Sequence, residues 1–170
     1  LQLKRIIKPN GAIVMTASQP FTSALIMSNI KQFKYCWVWQ KSSGSNFATL
    51  KYQPMKEHED ICVFCKSSSN YYPIKQKRNG GGAERAKKPY LKNTTSGEVM
   101  GMKNNQKGKT YDELRFPSSV QYFNNRDTER GQHPTQKPVK LMEYLIETYT
   151  QKAETVLDFT MGSGTTGVAC

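Results

Sequence analysis

An aspartate just ahead of a glycine-rich turn carries the clearest chemistry in this 170-residue sequence. Asp158 ends the apolar run Val156-Leu157, and Phe159 follows it. Gly162, Gly164 and Gly167 then stand in G-x-G-x-x-G spacing. Glycines so placed let a chain turn sharply, bring its backbone close to a ligand and pack a helix against a strand. The pattern alone is weak, and a strand before it with a helix after it strengthens it. No Lys-Ser/Thr pair follows the glycines, which argues against a phosphate-cradling P-loop and against ATP or GTP hydrolysis. A carboxylate at the strand's end would repel a pyrophosphate but receive an ammonium group. An aromatic ring beside it suits an adenine. The combination favours a cationic, phosphate-free cofactor with an amino-acid moiety, a description that S-adenosylmethionine meets. A dinucleotide-dependent oxidoreductase sharing the turn is the weaker alternative. The acidic residue that would decide for it belongs about twenty positions further on, beyond residue 170.

Other reactive side chains read as structural. Cys62 and Cys65 form a C-x-x-C in Glu59-Asp60-Ile61-Cys62-Val63-Phe64-Cys65, with no second pair or histidine partner to complete a zinc site. They read as buried or half-buried strand thiols in a reducing cytoplasm. His58 and His133 read as solvated or structural rather than as catalytic bases. No signal peptide and no apolar run of membrane-spanning length occurs.

The elements that must carry the turn follow from local pattern. Leu3, Ile6 and Ile7 have helical spacing, and Pro9-Asn10-Gly11 stops that helix. Residues 12–18, AIVMTAS, read as a short apolar strand of the kind buried on both faces. Pro20 opens a helix to about Ile30, with Phe21, Leu25, Ile26 and Ile30 as its buried stripe. FKYCWVWQK, residues 33–41, is strongly strand-like in its aromatic and β-branched content, and residues 60–66 form another strand. Near the C-terminus, residues 133–138, HPTQKP, cannot begin as helix. Pro138 then opens a helix with Leu141, Leu145 and Tyr149 on one face. TVLDF, residues 155–159, reads as a buried strand leading into the glycine turn. The fold class is α/β.

Between these ordered parts the composition shifts. Residues 67–132 are rich in Ser, Asn, Gly and Lys. Residues 66–115 hold twelve Lys/Arg against four Asp/Glu, a local excess of eight within a total net charge of +12. Tyr71, Tyr72, Tyr90, Tyr111, Phe116, Tyr122 and Phe123 are interleaved with these charges. Basic groups with aromatics suit phosphate contact and base stacking, and equally suit an insertion pinned to the body by a few rings. The candidate DNA-contacting residues are Lys75, Lys77, Arg78, Arg85, Lys87, Lys88 and Lys92.

Two motifs together point to a family. DFTMGSGTTG, residues 158–167, resembles the cofactor-binding motif of the DNA amino-methyltransferases, and HPTQKP resembles their second cofactor-binding motif. LKRIIKPNGAIVM and HEDICVF resemble their strand-bearing motifs. The order of motifs is similar to the β-class of these enzymes. The resemblance implies a Rossmann-like, S-adenosylmethionine-dependent methyltransferase fold, a mixed sheet with one antiparallel strand and helices on both faces. It implies residues 1–66 and 133–170 as parts of one catalytic domain and residues 67–132 as an irregular, basic target-recognition region. Carried over by residue, it implies Asp158 and Phe159 at the methionine and adenine ends of the pocket. Gly162, Ser163, Gly164 and Thr165 would lie around the cofactor, and Thr135, Gln136 and Lys137 at its methionyl carboxylate.

The implied activity is methyl transfer from S-adenosylmethionine to adenine N6, favoured over cytosine N4, in double-stranded DNA. Restriction-modification is the implied setting, and the family's habits leave room for a homodimer. The family's catalytic D/N/S-P-P-Y/F/W tetrad does not occur in the 170 residues, and its expected place is before residue 1. The chain is therefore expected to be incomplete at both ends, and no catalytic residue is assigned within it. A DNA- or cofactor-binding remnant without transferase activity is the main alternative.

Overall fold

The computed structural model describes residues 2–78, 83–84, 113–126 and 136–170. The chain divides into two compact units, one formed by Leu1–Pro73 with Ser118–Cys170 and the other by Ile74–Pro117. Among the described residues, no helix is long and apolar enough to cross a membrane.

The larger unit is built on a four-stranded sheet. Its strands are β1 (Ile13–Ala17), β2 (Phe33–Lys41), β3 (His58–Phe64) and β6 (Val120–Phe123), in the order β1-β3-β2-β6. β3 runs antiparallel to both neighbours, while β2 and β6 are parallel. β1, β2 and β6 therefore share one direction and β3 alone opposes them, so the mixed sheet with one antiparallel strand is borne out.

Strand alternation sorts side chains onto two faces. On one, Trp37, Trp39, Ile61 and Val63 pack with Leu141, Leu145 and Tyr149 of α3 (Val139–Tyr149). The other face presents Cys62 and Phe64, packed with Leu25 and Ile26 of α2 (Phe21–Ser28). Helices therefore cover both faces, and the expected face of α3 is the observed one. Register places Cys36 opposite Cys62, with Sγ atoms 3.4 Å apart and both thiols free. Burial first, with a neighbouring thiol, pushes the Cys62 thiol up to about 12. No metal-holding group occurs among the described residues.

α1 (Gln2–Ile6) forms and Pro9-Asn10 turns as expected, with Ile6 exposed. Two local expectations are corrected. α2 buries Thr22, whose hydroxyl donates to Asp60 Oδ2 at 2.8 Å, while Phe21 and Ile30 are exposed. A polar tether to β3 thus sets the helix's rotation, which an apolar count does not register. β1 lies at an edge of the four-stranded sheet and is mostly half-buried rather than buried on both faces.

The correction with most bearing on function is residues 155–159, which are irregular and largely exposed instead of a buried strand. Leu157 is 59% exposed. A strand exists only through a partner's backbone groups, and no described strand pairs with this segment. The turn beyond it forms as expected and opens α4 (Thr165–Ala169).

In the smaller unit, β4 (Gln76–Lys77) pairs antiparallel with β5 (Leu114–Arg115). The Arg78 amide donates to the Glu113 carbonyl at 3.0 Å, extending that ladder.

Candidate cofactor site

The glycine turn is built by backbone strain that only glycine relieves. Gly162 has φ 55° and Gly164, the residue capping α4, φ 78°. Both lie in the left-handed region, where a Cβ costs about 1–2 kcal/mol. Gly167 differs: its φ is not left-handed and no atom lies within 4 Å of where its Cβ would stand. The packing role expected of this third glycine has no counterpart among the described contacts.

Asp158 ties the turn together. Its Oδ1 accepts hydrogen bonds from the Thr160 amide at 2.9 Å and the Thr160 hydroxyl at 3.3 Å. Its Oδ2 accepts from the hydroxyl of Thr166, the second residue of α4, at 2.5 Å. The carboxylate therefore spans the turn from its first residue to the helix beyond it. Thr165 and Thr166 are buried, and the Thr165 hydroxyl lies 3.1 Å from that of Ser163. Phe159 turns outward and is 63% exposed. A ring so placed is available to stack on a planar group rather than committed to the core.

The second candidate segment brings in residues that motif reading did not find. Thr135 lies outside the described residues, and Gln136 is half-buried. Lys137, just ahead of α3, reaches Glu59 Oε2 at 2.7 Å, while Lys41 reaches Glu59 Oε1 at 2.6 Å. The two ammonium groups stand 5.4 and 5.3 Å from the Trp39 ring centroid. Side-chain exposure rises from 7% at Lys41 through 16% at Glu59 to 25% at Lys137. Burial works to raise the Glu59 carboxyl, yet hydrogen bonds from Lys137 and Lys41 hold it below its ordinary value.

Strand alternation explains the cluster. Trp39 and Lys41 share the α3 face of β2, and the register sets Glu59 opposite Trp39. Lys41 ends β2 and Glu59 is the second residue of β3, so the cluster sits at the carboxyl end of the parallel strands. Ligands of open α/β sheets bind at that end. An available signal was the placement of Lys41 and Glu59 at facing strand ends, but their pairing needs the register, which sequence did not supply.

The nearby sheet is braced by polar contacts. The Trp37 indole donates to the Tyr149 hydroxyl at 2.7 Å, and the Tyr35 hydroxyl lies 2.9 Å from it. The Trp39 indole donates to the Phe123 carbonyl at 3.0 Å. Tyr71, one of the interleaved aromatics, packs on Trp37 and Tyr149 at centroid distances of 6.4 and 6.3 Å. Phe123 packs on Tyr144. These two rings pack against core residues, Tyr71 while still 40% exposed, whereas Phe116 and Tyr122 are more fully exposed. His58 is an exposed residue at the start of β3, and His133 lies outside the described residues.

Of the candidate DNA contacts, Lys75, Lys77 and Arg78 belong to the smaller unit, with Lys77 on β4. Arg85, Lys87, Lys88 and Lys92 lie outside the described residues.

A family model described as DNA methylase, for N6 and N4 methyltransferases, matches residues 1–170. The chain belongs to this DNA methylase family. Among individual relatives, it is 28% identical over 172 residues to the type II methyltransferase M.HpaI of Haemophilus parainfluenzae, covering 98% of this chain and 48% of that one. Type II methyltransferase M2.MboI of Moraxella bovis is 52% identical over 40 residues, 24% of this chain and 15% of its own length. The methylase chain thus spans about half or less of these relatives.

Among solved structures, the M1.HpyAVI–SAM complex superposes with a TM-score of 0.61 at 23% identity, covering 99% of this chain and 66% of that one. The cytosine-N4-specific PvuII DNA methyltransferase gives 0.58 at 17% identity, covering 95% and 56%. The fold is that of the DNA methyltransferases.

Proposed function

We propose that this chain is the cofactor-binding part of a DNA amino-methyltransferase, acting on an exocyclic amine of adenine or cytosine in double-stranded DNA. The observation that carries this is the left-handed Gly162–Gly164 turn, cross-tied by Asp158, in a chain matched by the DNA methylase family over its whole length. The M1.HpyAVI structure, similar in fold, is titled as a complex with SAM.

The residues present fit S-adenosylmethionine by the chemistry of their donor set. Asp158 offers a carboxylate to an ammonium group, Lys137 an ammonium to a carboxylate, and Phe159 an exposed ring to an adenine. Gly162, Ser163, Gly164 and Thr165 offer backbone and hydroxyl groups around the turn, and Thr135 and Gln136 flank Lys137 in sequence. When bound, S-adenosylmethionine supplies an electrophilic methyl group on sulfonium. The chain's own residues bind and orient it, which is how positioning lowers a barrier.

Residues 67–132 are assigned as the target-recognition region, on their charge and interleaved aromatics. The basic residues Lys75, Lys77, Arg78, Arg85, Lys87, Lys88 and Lys92 are assigned to phosphate contact. Four free cysteines suit a reducing cytoplasm. Calorimetry with S-adenosylhomocysteine and with NAD separates the cofactor classes. Binding of the first and not the second is expected, and NAD binding without S-adenosylhomocysteine binding would overturn the assignment.

A further inference from the structure

Neither Lys41 nor Glu59 is among the pocket residues that the motifs suggest, yet both are joined to one that is. We propose that Lys41 and Glu59 are positioning residues for Lys137, holding its ammonium group ready for the carboxylate of the cofactor's amino-acid end. This rests on the cofactor assignment above.

Three observations support it. Glu59 bridges the two lysines through separate carboxylate oxygens, at 2.6 and 2.7 Å, and so fixes both at once. Exposure is graded, with Lys41 buried against Trp39 and Lys137 the most open of the three. Only Lys137 is placed to meet a ligand, while Lys41 is placed to hold Glu59. Finally, two ammonium groups share one carboxylate, which leaves one positive charge over. A ligand carboxylate would make the cluster neutral.

A lysine on its flexible stem gives up rotamer freedom when a ligand orders it. Here Glu59 and the Trp39 ring have ordered it beforehand. The cluster's place at the carboxyl end of the parallel strands is where that order would matter.

The test compares S-adenosylhomocysteine with 5′-methylthioadenosine, which shares the nucleoside and lacks the amino-acid end. Removing Glu59 alone would strand two cations together, so the main variant is Lys41→Met/Glu59→Gln, which leaves the net charge unchanged. Calorimetry on the 170-residue chain should show S-adenosylhomocysteine weakened about tenfold, the scale of a lysine's lost pre-ordering. Methylthioadenosine should stay within about twofold, because binding terms for separate groups are nearly additive. On a Lys137→Met background the double change should cost S-adenosylhomocysteine nothing further.

Unchanged or tighter S-adenosylhomocysteine binding would mean that Glu59 merely masks Lys137, and would overturn the proposal. So would equal weakening of both ligands, or a further loss on the Lys137→Met background. If the double variant does not fold, Glu59→Asp, one methylene shorter, takes its place with the same expected contrast. A wild-type chain that binds neither ligand refutes the cofactor assignment itself, and this proposal with it.

Discussion

Replacing Asp158 separates two roles that the same carboxylate performs. Its oxygens hold the glycine turn through the Thr160 amide and the Thr166 hydroxyl, and its charge is assigned to the cofactor's ammonium group. Asparagine is nearly isosteric. Its Oδ1 can still accept from the Thr160 amide, and its Nδ2 can donate to the Thr166 hydroxyl, which accepts as well as donates. Alanine loses all of these contacts. Charge-assisted hydrogen bonds are worth about 1.5–3 kcal/mol each when buried. Asp158 is half-buried and accepts one short, one ordinary and one long hydrogen bond, so Asp158→Ala should cost about 2 kcal/mol.

In a chain of this size that lowers Tm by about 4–8 °C. Asp158→Asn should cost less than about 1 kcal/mol, a few degrees at most. For S-adenosylhomocysteine the order of effects changes. Asn lacks the charge opposite the ammonium group, so both variants should bind about 10–100-fold more weakly, or about 1.4–2.8 kcal/mol. Differential scanning fluorimetry and calorimetry on the same samples read both effects. An Asp158→Asn chain as unstable as Asp158→Ala, or one with wild-type affinity, would refute the division of roles.

Other expectations concern the sheet, the cluster and the basic region. Tyr149→Phe strands the buried Trp37 indole N–H and should cost about 1–3 kcal/mol in urea denaturation, whereas a change under about 0.5 kcal/mol would discount that bond. The Glu59 carboxyl is held below its ordinary value of 4.5, so its stabilisation is present above that value and lost as pH falls through the folded one. Glu59→Gln should therefore flatten the acid limb of a stability-against-pH curve, and an unchanged limb would count against the cluster. Lys77→Glu with Arg78→Glu should weaken binding to duplex DNA and reduce the slope of log affinity against log salt by about 2. Unchanged binding would remove these residues from the recognition assignment.

What sequence could show depended on whether a feature is local. β2 spans Phe33–Lys41, the nine residues that its composition marked, and α3 buries Leu141, Leu145 and Tyr149 as its periodicity required. The turn was equally legible, because left-handed backbone at Gly162 and Gly164 leaves its mark in residue type. Residues 155–159 misled because β-propensity describes a segment's fitness for a sheet and not the presence of a neighbour. The stripe assigned to α2 held at Leu25 and Ile26, but failed at Phe21, where Thr22 with its hydrogen bond to Asp60 takes the inner position, and at Ile30, which lies beyond the helix's end at Ser28.

The Lys41–Glu59–Lys137 cluster could not be assembled from sequence for a related reason. Glu59 and Lys137 are far apart in the chain, and only sheet register and the docking of α3 bring them within 2.7 Å. β6 is a four-residue strand within a stretch whose composition suggested irregularity. Its pairing with β2 supplies what its own sequence does not.

The most direct test of where the cofactor binds is photolabelling. The 170-residue chain would be irradiated with methyl-labelled S-adenosylmethionine and its labelled peptides mapped by mass spectrometry. Label on peptides containing Lys137 and Phe159, competed away by S-adenosylhomocysteine, is the predicted result. Competed label confined to other segments, with none near the glycine turn, would contradict it.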